Sequence, residues 1–285
     1  MFYLIQLLNG IQYGLLLFLL ASGLTLIFGI MGVINLAHGS FYMIGAYLAY
    51  WLAKTTGSLW LALPLGVAIA LALGVLLETT LFSRLYKRDH LYQVLLTFGL
   101  ILIFEELRSI LFGDDVHGVA MPALLNYSVR LTDTLSYPVY RLFVTVVCLL
   151  LAGGMYLVIH KTRVGMMVRA GSSNPEMAAS LGINIPLLFA CVFAFGTALA
   201  AFAGMIAAPL SSVFPGMGNQ ILIICFVVVV IGGIGSINGA LIASLAIGFA
   251  DTLGKVLAPE YSGIAVYLLM ALILLWRPQG LANKM

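Results

Sequence analysis

His38 stands three residues after Asn35 and two before Ser40, inside a stretch of 53 residues that carries no charged side chain. An amide, an imidazole and a hydroxyl so placed could hydrogen-bond a passing zwitterion. They could equally satisfy the free backbone groups of a broken helix. Asn238 poses the same choice in a second apolar stretch. Glu105 and Arg108 are three apart, and Asp251 and Lys255 four apart, so each pair can meet on one helix face. A proton relay is the alternative chemistry for such groups. Cys148, Cys191 and Cys225 lie in apolar runs without metal-ligand spacing and read as buried, inert thiols. No Ser-His-Asp set, paired-carboxylate cleft or metal cluster emerges from the sequence. No catalytic residue, metal or cofactor is assigned, which disfavours an intramembrane enzyme.

The elements that must position these residues follow from composition. Of 285 residues, 63% are hydrophobic and 8% charged, with 13 Lys+Arg against 10 Asp+Glu. Soluble domains carry roughly 25% charged residues. Twenty-three charges cannot cover a soluble surface of this size, and a net charge of +3 points to no nucleic-acid partner. Residues 177–250 carry no charge at all. As one helix that stretch would run ~110 Å against a hydrocarbon core of ~30 Å, so it crosses or re-enters about three times. The runs are apolar on every face, unlike barrel strands. The fold expected is an all-α polytopic integral membrane protein, embedded in lipid.

Nine apolar runs are candidate spans: about 5–28, 33–53, 59–82, 91–112, 138–160, 186–212, 219–236, 239–256 and 262–276. The runs around 29–38 and 219–236 are interrupted by glycine and could be broken or re-entrant, giving eight or nine transmembrane or re-entrant helices. Pro64, Pro186, Pro209, Pro215 and Pro278 mark kinks or span ends. Basic residues gather at Arg84, Lys87 and Arg88, at Lys161, Arg163 and Arg169, and in the tail at Arg277 and Lys284. These read as cytoplasmic, which puts the C-terminus inside. Residues 113–137, with Asp114, Asp115 and Asp133, then face outward. Glu78 lies near the first basic cluster and could pair with it. The N-terminus has no basic region of the kind that opens a cleaved signal peptide.

Gly29–Asn35 and Gly232–Asn238 share the pattern G-x-x-G-x-I-N. This is either a trace of internal repetition or a coincidence in a glycine-rich chain. Gly196, Ala200, Gly204 and Ala208 form a small-residue stripe at i+4 spacing. Such a stripe serves helix packing within the chain or contact with a second subunit.

The stretch 161–186 carries the clearest mechanism. Asn174 is an N-cap, Pro175 suits the first helical position, Glu176 complements the helix dipole and Gly182 is a stop. A two-turn helix is expected from Pro175 to Leu181, with Ala178 and Ala179 as a small surface. Glu176, Ala178, Ala179 and Gly182 stand where the coupling loop of ABC importer permeases has its E-A-A…G pattern, with Met177 interrupting it. The run from Arg169 to Asn184 resembles the branched-chain amino acid (Liv-type) permeases. So do G-x-x-G-x-I-N-L-A-H-G from Gly29, V-I-G-G-I-G-S-I-N-G-A from Val230 and L-L-W-R-P-Q-G-L from Leu274. The chain is most similar to the shorter of that family's two paired permeases.

The resemblance implies one permease domain over residues 1–285, with 161–186 as its cytoplasmic coupling loop. It implies a multi-pass protein of the bacterial inner membrane. It also implies a second, non-identical permease, two cytoplasmic P-loop ATPases and a periplasmic substrate-binding protein. Gly254-Lys255 lacks the upstream glycine and following hydroxyl of a P-loop, so ATP is expected on partner subunits. The substrates implied are branched-chain or related hydrophobic amino acids, moved by alternating access. Related permeases carry urea, short amides or carboxylated aromatics. An ion-coupled secondary transporter is the competing class, and it would need more carboxylates near the bilayer centre than this sequence has.

Overall fold

The computed structural model describes residues 2–86, 88–132, 135–257 and 259–281. Lys87, Asp133 and Lys284 lie outside them. Among the described residues there are eleven α-helices and one two-stranded hairpin. The helices are α1 (Phe2–Met31), α2 (His38–Thr56), α3 (Leu59–Thr80), α4 (His90–Phe112), α5 (Val139–Lys161), α6 (Arg163–Ser173), α7 (Pro175–Ser180), α8 (Ile185–Ala207), α9 (Met217–Gly232), α10 (Ile237–Leu257) and α11 (Ser262–Trp276). Strands β1 (Ser128–Thr132) and β2 (Leu135–Pro138) pair antiparallel, with a bulge between Arg130 and Thr132.

Each of the nine apolar runs contains one helix. Five helices are long and apolar enough to cross a membrane: α1, α3, α5, α8 and α10. α9 and α11 are apolar but shorter. The run expected from 33 begins as helix only at His38, because Gly32 turns left-handed at φ 65° and the chain leaves helical geometry. The run expected to 212 ends at Ala207. Pro209 follows, and the connection is held by a bridge in which Val213 and His117 exchange backbone hydrogen bonds of 2.8 Å. The hairpin and α6 are too short and too polar to stand out as apolar runs, and the sequence reading did not anticipate them.

α1 lies at the centre of the bundle, packed by α8 and α10 and touching α5 and α9. Glycines permit the approach: a Cβ on Gly14 would stand 2.9 Å from the Leu245 Cα, and one on Gly23 would stand 2.6 Å from the Gly196 carbonyl. Leu17, Leu20, Ala21 and Ile27 are fully enclosed. Phe41, Phe82, Phe104 and Phe193 form an aromatic cluster with ring separations of 4.5–6.2 Å. Leucines, isoleucines and tryptophans on α3, α4 and α11 point outward, as on a lipid-facing surface.

The bundle has two ends. One bears α6, α7, Arg84, Arg88 and Arg277; there Tyr86 packs on Phe189 at the start of α8, and Leu281 donates to the Ile231 carbonyl. The other bears the hairpin, Asp114, Arg141 and Lys255. Two expectations are corrected here. Glu78 accepts a hydrogen bond from the Tyr86 hydroxyl, and among the described residues it pairs with no basic group. Glu78 is buried on α3, where a phenol satisfies it at the lower desolvation cost. Burial, and then this bond, raise the Tyr86 phenol well above its ordinary range. Cys191 is exposed, because it falls on the outer face of α8, while Cys148 and Cys225 are buried.

Candidate functional site

Two helices of the bundle start in its interior. α1 runs to Met31 at the α7 end, and residues 32–37 then turn back to α2, whose first residue, His38, reaches α1 at Leu20. α8 runs to Ala207 at the hairpin end, and residues 208–216 turn back to α9, with Gly216 left-handed at φ 78°. The first turns of α2 and α9 meet. A Cβ on Gly39 would strike the Gly218 carbonyl, and one on Gly218 would stand 2.9 Å from the Gly39 carbonyl. Helix starts carry free N–H groups and partial positive charge, and here two of them lie side by side at the core.

Asn35, His38 and Ser40 are all buried at this junction. The Asn35 Oδ1 accepts from the Ala37 N–H at 3.1 Å and closes the turn into α2. The His38 Nε2 lies 3.0 Å from the Leu20 carbonyl. The Asn35 Nδ2 and His38 Nδ1 have no hydrogen-bond partner among the described residues. Asn238 is separate from this group. It is exposed in the first turn of α10, beyond the tight turn in which Gly233 and Gly235 take φ 90° and 79°. The two G-x-x-G-x-I-N stretches do touch, since the Gly29 position abuts the Gly235 Cα, but they differ in conformation.

Polar cavities lie at both ends of α1, α5 and α10. At the α7 end, about 310 Å³ is lined by Thr25, His160, Arg169, Ser172, Ser236 and Asn238, among others. At the hairpin end, about 410 Å³ is lined by Asn9, Gln12, Tyr42, Arg141, Asp251 and Lys255, among others. On α1 the two linings stop at Thr25 and Leu16, nine residues apart, or ~14 Å of helix. Between them stand the enclosed Leu17, Leu20 and Leu24, so the two cavities are separated by packed side chains. A third, apolar cavity of about 710 Å³ opens between α2 and α4. There Arg108 donates to Asp114 at 2.9 Å and faces Glu105 at 3.4 Å. Arg108, then Ser109, hold the Asp114 carboxyl below its usual range.

The stripe on α8 is spent inside the chain. Gly196 meets Ile27 and Gly23 of α1, Gly204 meets the Tyr42 carbonyl of α2, and Ala200 and Ala208 are buried. At the α7 end, the Asn174 Oδ1 caps α7 by accepting from the Met177 N–H at 3.0 Å, with Pro175 in the first turn beside Glu176. Gly182 ends the segment at φ 88°. Ala178 turns inward and is 2% exposed, so it offers no outer surface, whereas Ala179 and Glu176 are exposed. Sequence reading missed the groups that do project. Met177 and Leu181 are 65% and 77% exposed, and their i, i+4 spacing was the available signal. It also missed Asn9, Gln12 and Arg141, which ordinary spacing could not connect.

Known proteins resemble this chain along nearly its whole length. The family model described as the permease component of the branched-chain amino acid transport system matches residues 6–274. The chain is 31% identical to the high-affinity branched-chain amino acid transport system permease protein BraD of Pseudomonas aeruginosa, over 99% of this chain and 96% of BraD. It is 30% identical to LivH of Escherichia coli, over 100% of this chain and 96% of LivH. It is 29% identical to LivM of the same organism, over 92% of this chain and 67% of LivM. No solved structure matches. With its several apolar helices, the chain is a multi-pass membrane protein, and it belongs to the branched-chain amino acid transport permease family.

Proposed function

We propose that this chain is one membrane subunit of an ABC importer that moves branched-chain or related hydrophobic amino acids across the inner membrane. The observation that carries the reading is the pair of polar cavities at opposite ends of α1, α5 and α10, separated by a packed apolar segment. That arrangement suits alternating access, in which only one side is open at a time. The α7 end is the cytoplasmic face, since the basic residues gather there. The C-terminus lies on that side.

Energy enters through two partner P-loop ATPases. Their contact is the capped α7, where Met177 and Leu181 present an apolar pair to solvent beside Glu176. A second permease covers part of the apolar outer surface. A periplasmic binding protein delivers substrate at the hairpin end and supplies most of the selectivity. The substrate class rests on the family, so urea, short amides and carboxylated aromatics are the competing cargoes.

The test is reconstitution of the chain with those partners in proteoliposomes. Uptake of L-leucine that requires internal ATP is expected. Uptake by the chain alone, driven by a proton or sodium gradient, would overturn the reading. Met177→Glu with Leu181→Glu should lower ATP-coupled uptake about tenfold while insertion is retained, the scale of ~1.4 kcal/mol lost from a docking contact. Unchanged coupling in that variant would remove α7 from the contact.

A further inference from the structure

We propose that the cavity at the hairpin end receives the head group of an α-amino acid, with Arg141 taking its carboxylate and Asp251 its ammonium. This deepens the reading above and rests on it.

The cavity, at about 410 Å³, lies within the ~300–1,000 Å³ range of small-molecule sites. Its charge is unusual for this chain. No charged residue occurs in residues 1–53 or 177–250, yet Arg141, Asp251 and Lys255 converge on this one space from α5 and α10. Arg141 is partly buried. Its guanidinium donates to the Asn9 Oδ1 at 2.9 Å, and it has no carboxylate partner among the described residues. The Tyr137 hydroxyl donates to the same Asn9 oxygen at 3.2 Å, which fixes the amide and leaves the planar fork of Arg141 oriented.

Asp251 is held differently. Its side chain is 14% exposed, and among the described residues its ion-pair partner is the Lys255 ammonium at 2.6 Å, whose own side chain is 60% exposed. Lys255 also stands 5.5 Å from the Tyr13 ring centroid. Only the lysine half of the pair is largely exposed. Lys255 can return to water, and an incoming ammonium can take its place on Asp251 without leaving a buried charge unpaired. Gln12 adds a buried amide to the wall. Among the described residues, a cation without a carboxylate partner and an exchangeable anion share this cavity, and together they match a zwitterion better than they match either charge alone. The larger cavity between α2 and α4 lacks this feature: Lys54 and Arg108 line it without a lining carboxylate, and Arg108 is already held by Asp114 and Glu105.

The test uses the assembled importer in membranes. Ser211→Cys places a thiol on the cavity wall, in a chain whose exposed native Cys191 is replaced by alanine. The rate of labelling by a membrane-impermeant maleimide is measured with L-leucine, with 4-methylpentanoate (carboxylate only) and with 3-methylbutylamine (ammonium only). About threefold slower labelling is expected in ~10 mM L-leucine, as for a millimolar-order Kd, with little effect from either single-headed analogue. Asp251→Asn should abolish the protection, and Lys54→Ala in the other cavity should leave it intact. Equal effects of all three compounds, or no effect of leucine, would overturn the proposal. So would protection that survives Asp251→Asn. The comparison of compounds keeps Asp251 and decides the matter even where that variant fails to assemble. ATP-driven leucine uptake is measured in parallel on the unsubstituted and the Ser211→Cys importers. Loss of uptake with the unsubstituted chain refutes the transport reading itself, whereas intact uptake without protection refutes only this site.

Discussion

The same seven-residue pattern ends α1 and joins α9 to α10, and the two copies fold differently. After Gly29 the chain turns at Gly32, extends, and re-enters the bundle, so that Asn35 is buried and closes the turn into α2. After Gly232 the chain makes a tight turn at Gly233 and Gly235, and Ser236 caps α10 by accepting from the Gly239 N–H at 3.1 Å. Asn238 then stands exposed at the rim of a cavity. Glycine permits both paths, and neighbouring elements select between them. Past the first copy, α9 offers the Gly218 backbone for Gly39 to pack against. Past the second, α1 already fills the interior.

Substitutions can break this comparison. Gly39→Ala should have the largest effect. Its Cβ would strike the Gly218 carbonyl and stand 2.7 Å from the Leu222 Cβ, and backbone cannot retreat as a side chain can. A loss of about 3 kcal/mol or more is expected, read as a large fall in the unfolding midpoint in detergent or as failure to assemble. Asn35→Ala should follow, at about 1–2 kcal/mol, because a buried backbone N–H loses its acceptor. Gly32→Ala meets no neighbour, so only its left-handed φ is penalised, at about 1 kcal/mol. Asn238→Ala should cost under ~0.5 kcal/mol of stability, since its side chain is exposed. Equal losses at Asn35 and Asn238 would erase the difference drawn between the two copies. A Gly39→Ala protein as stable as the parent would mean that α2 and α9 do not meet as closely as described.

Much of the architecture was legible in the residues. Each apolar run became a helix because backbone groups in such runs have no other way to be satisfied away from water. The cap at Asn174 and the pairs Glu105–Arg108 and Asp251–Lys255 were legible because their partners lie within four residues. The start of α2 at His38 rather than near residue 33 was not, since a left-handed glycine and an extended chain cost little and leave no periodic mark. The β-hairpin is likewise short and unpatterned. The inward turn of Ala178 depended on packing against other parts of the chain, which a helical pattern does not reveal.

By itself the sequence determined that this is a helical membrane protein, roughly where its apolar helices fall, where basic charge gathers along the chain, and its family likeness. These follow from composition and from contacts local along the chain. Only the tertiary structure decided that α2 and α9 begin face to face. It alone brought Asn9 to Arg141, and Arg141 into the same cavity as Asp251. Those groups are far apart in sequence, and the glycines that let the helices close on one another act through shape, which carries no spacing of its own.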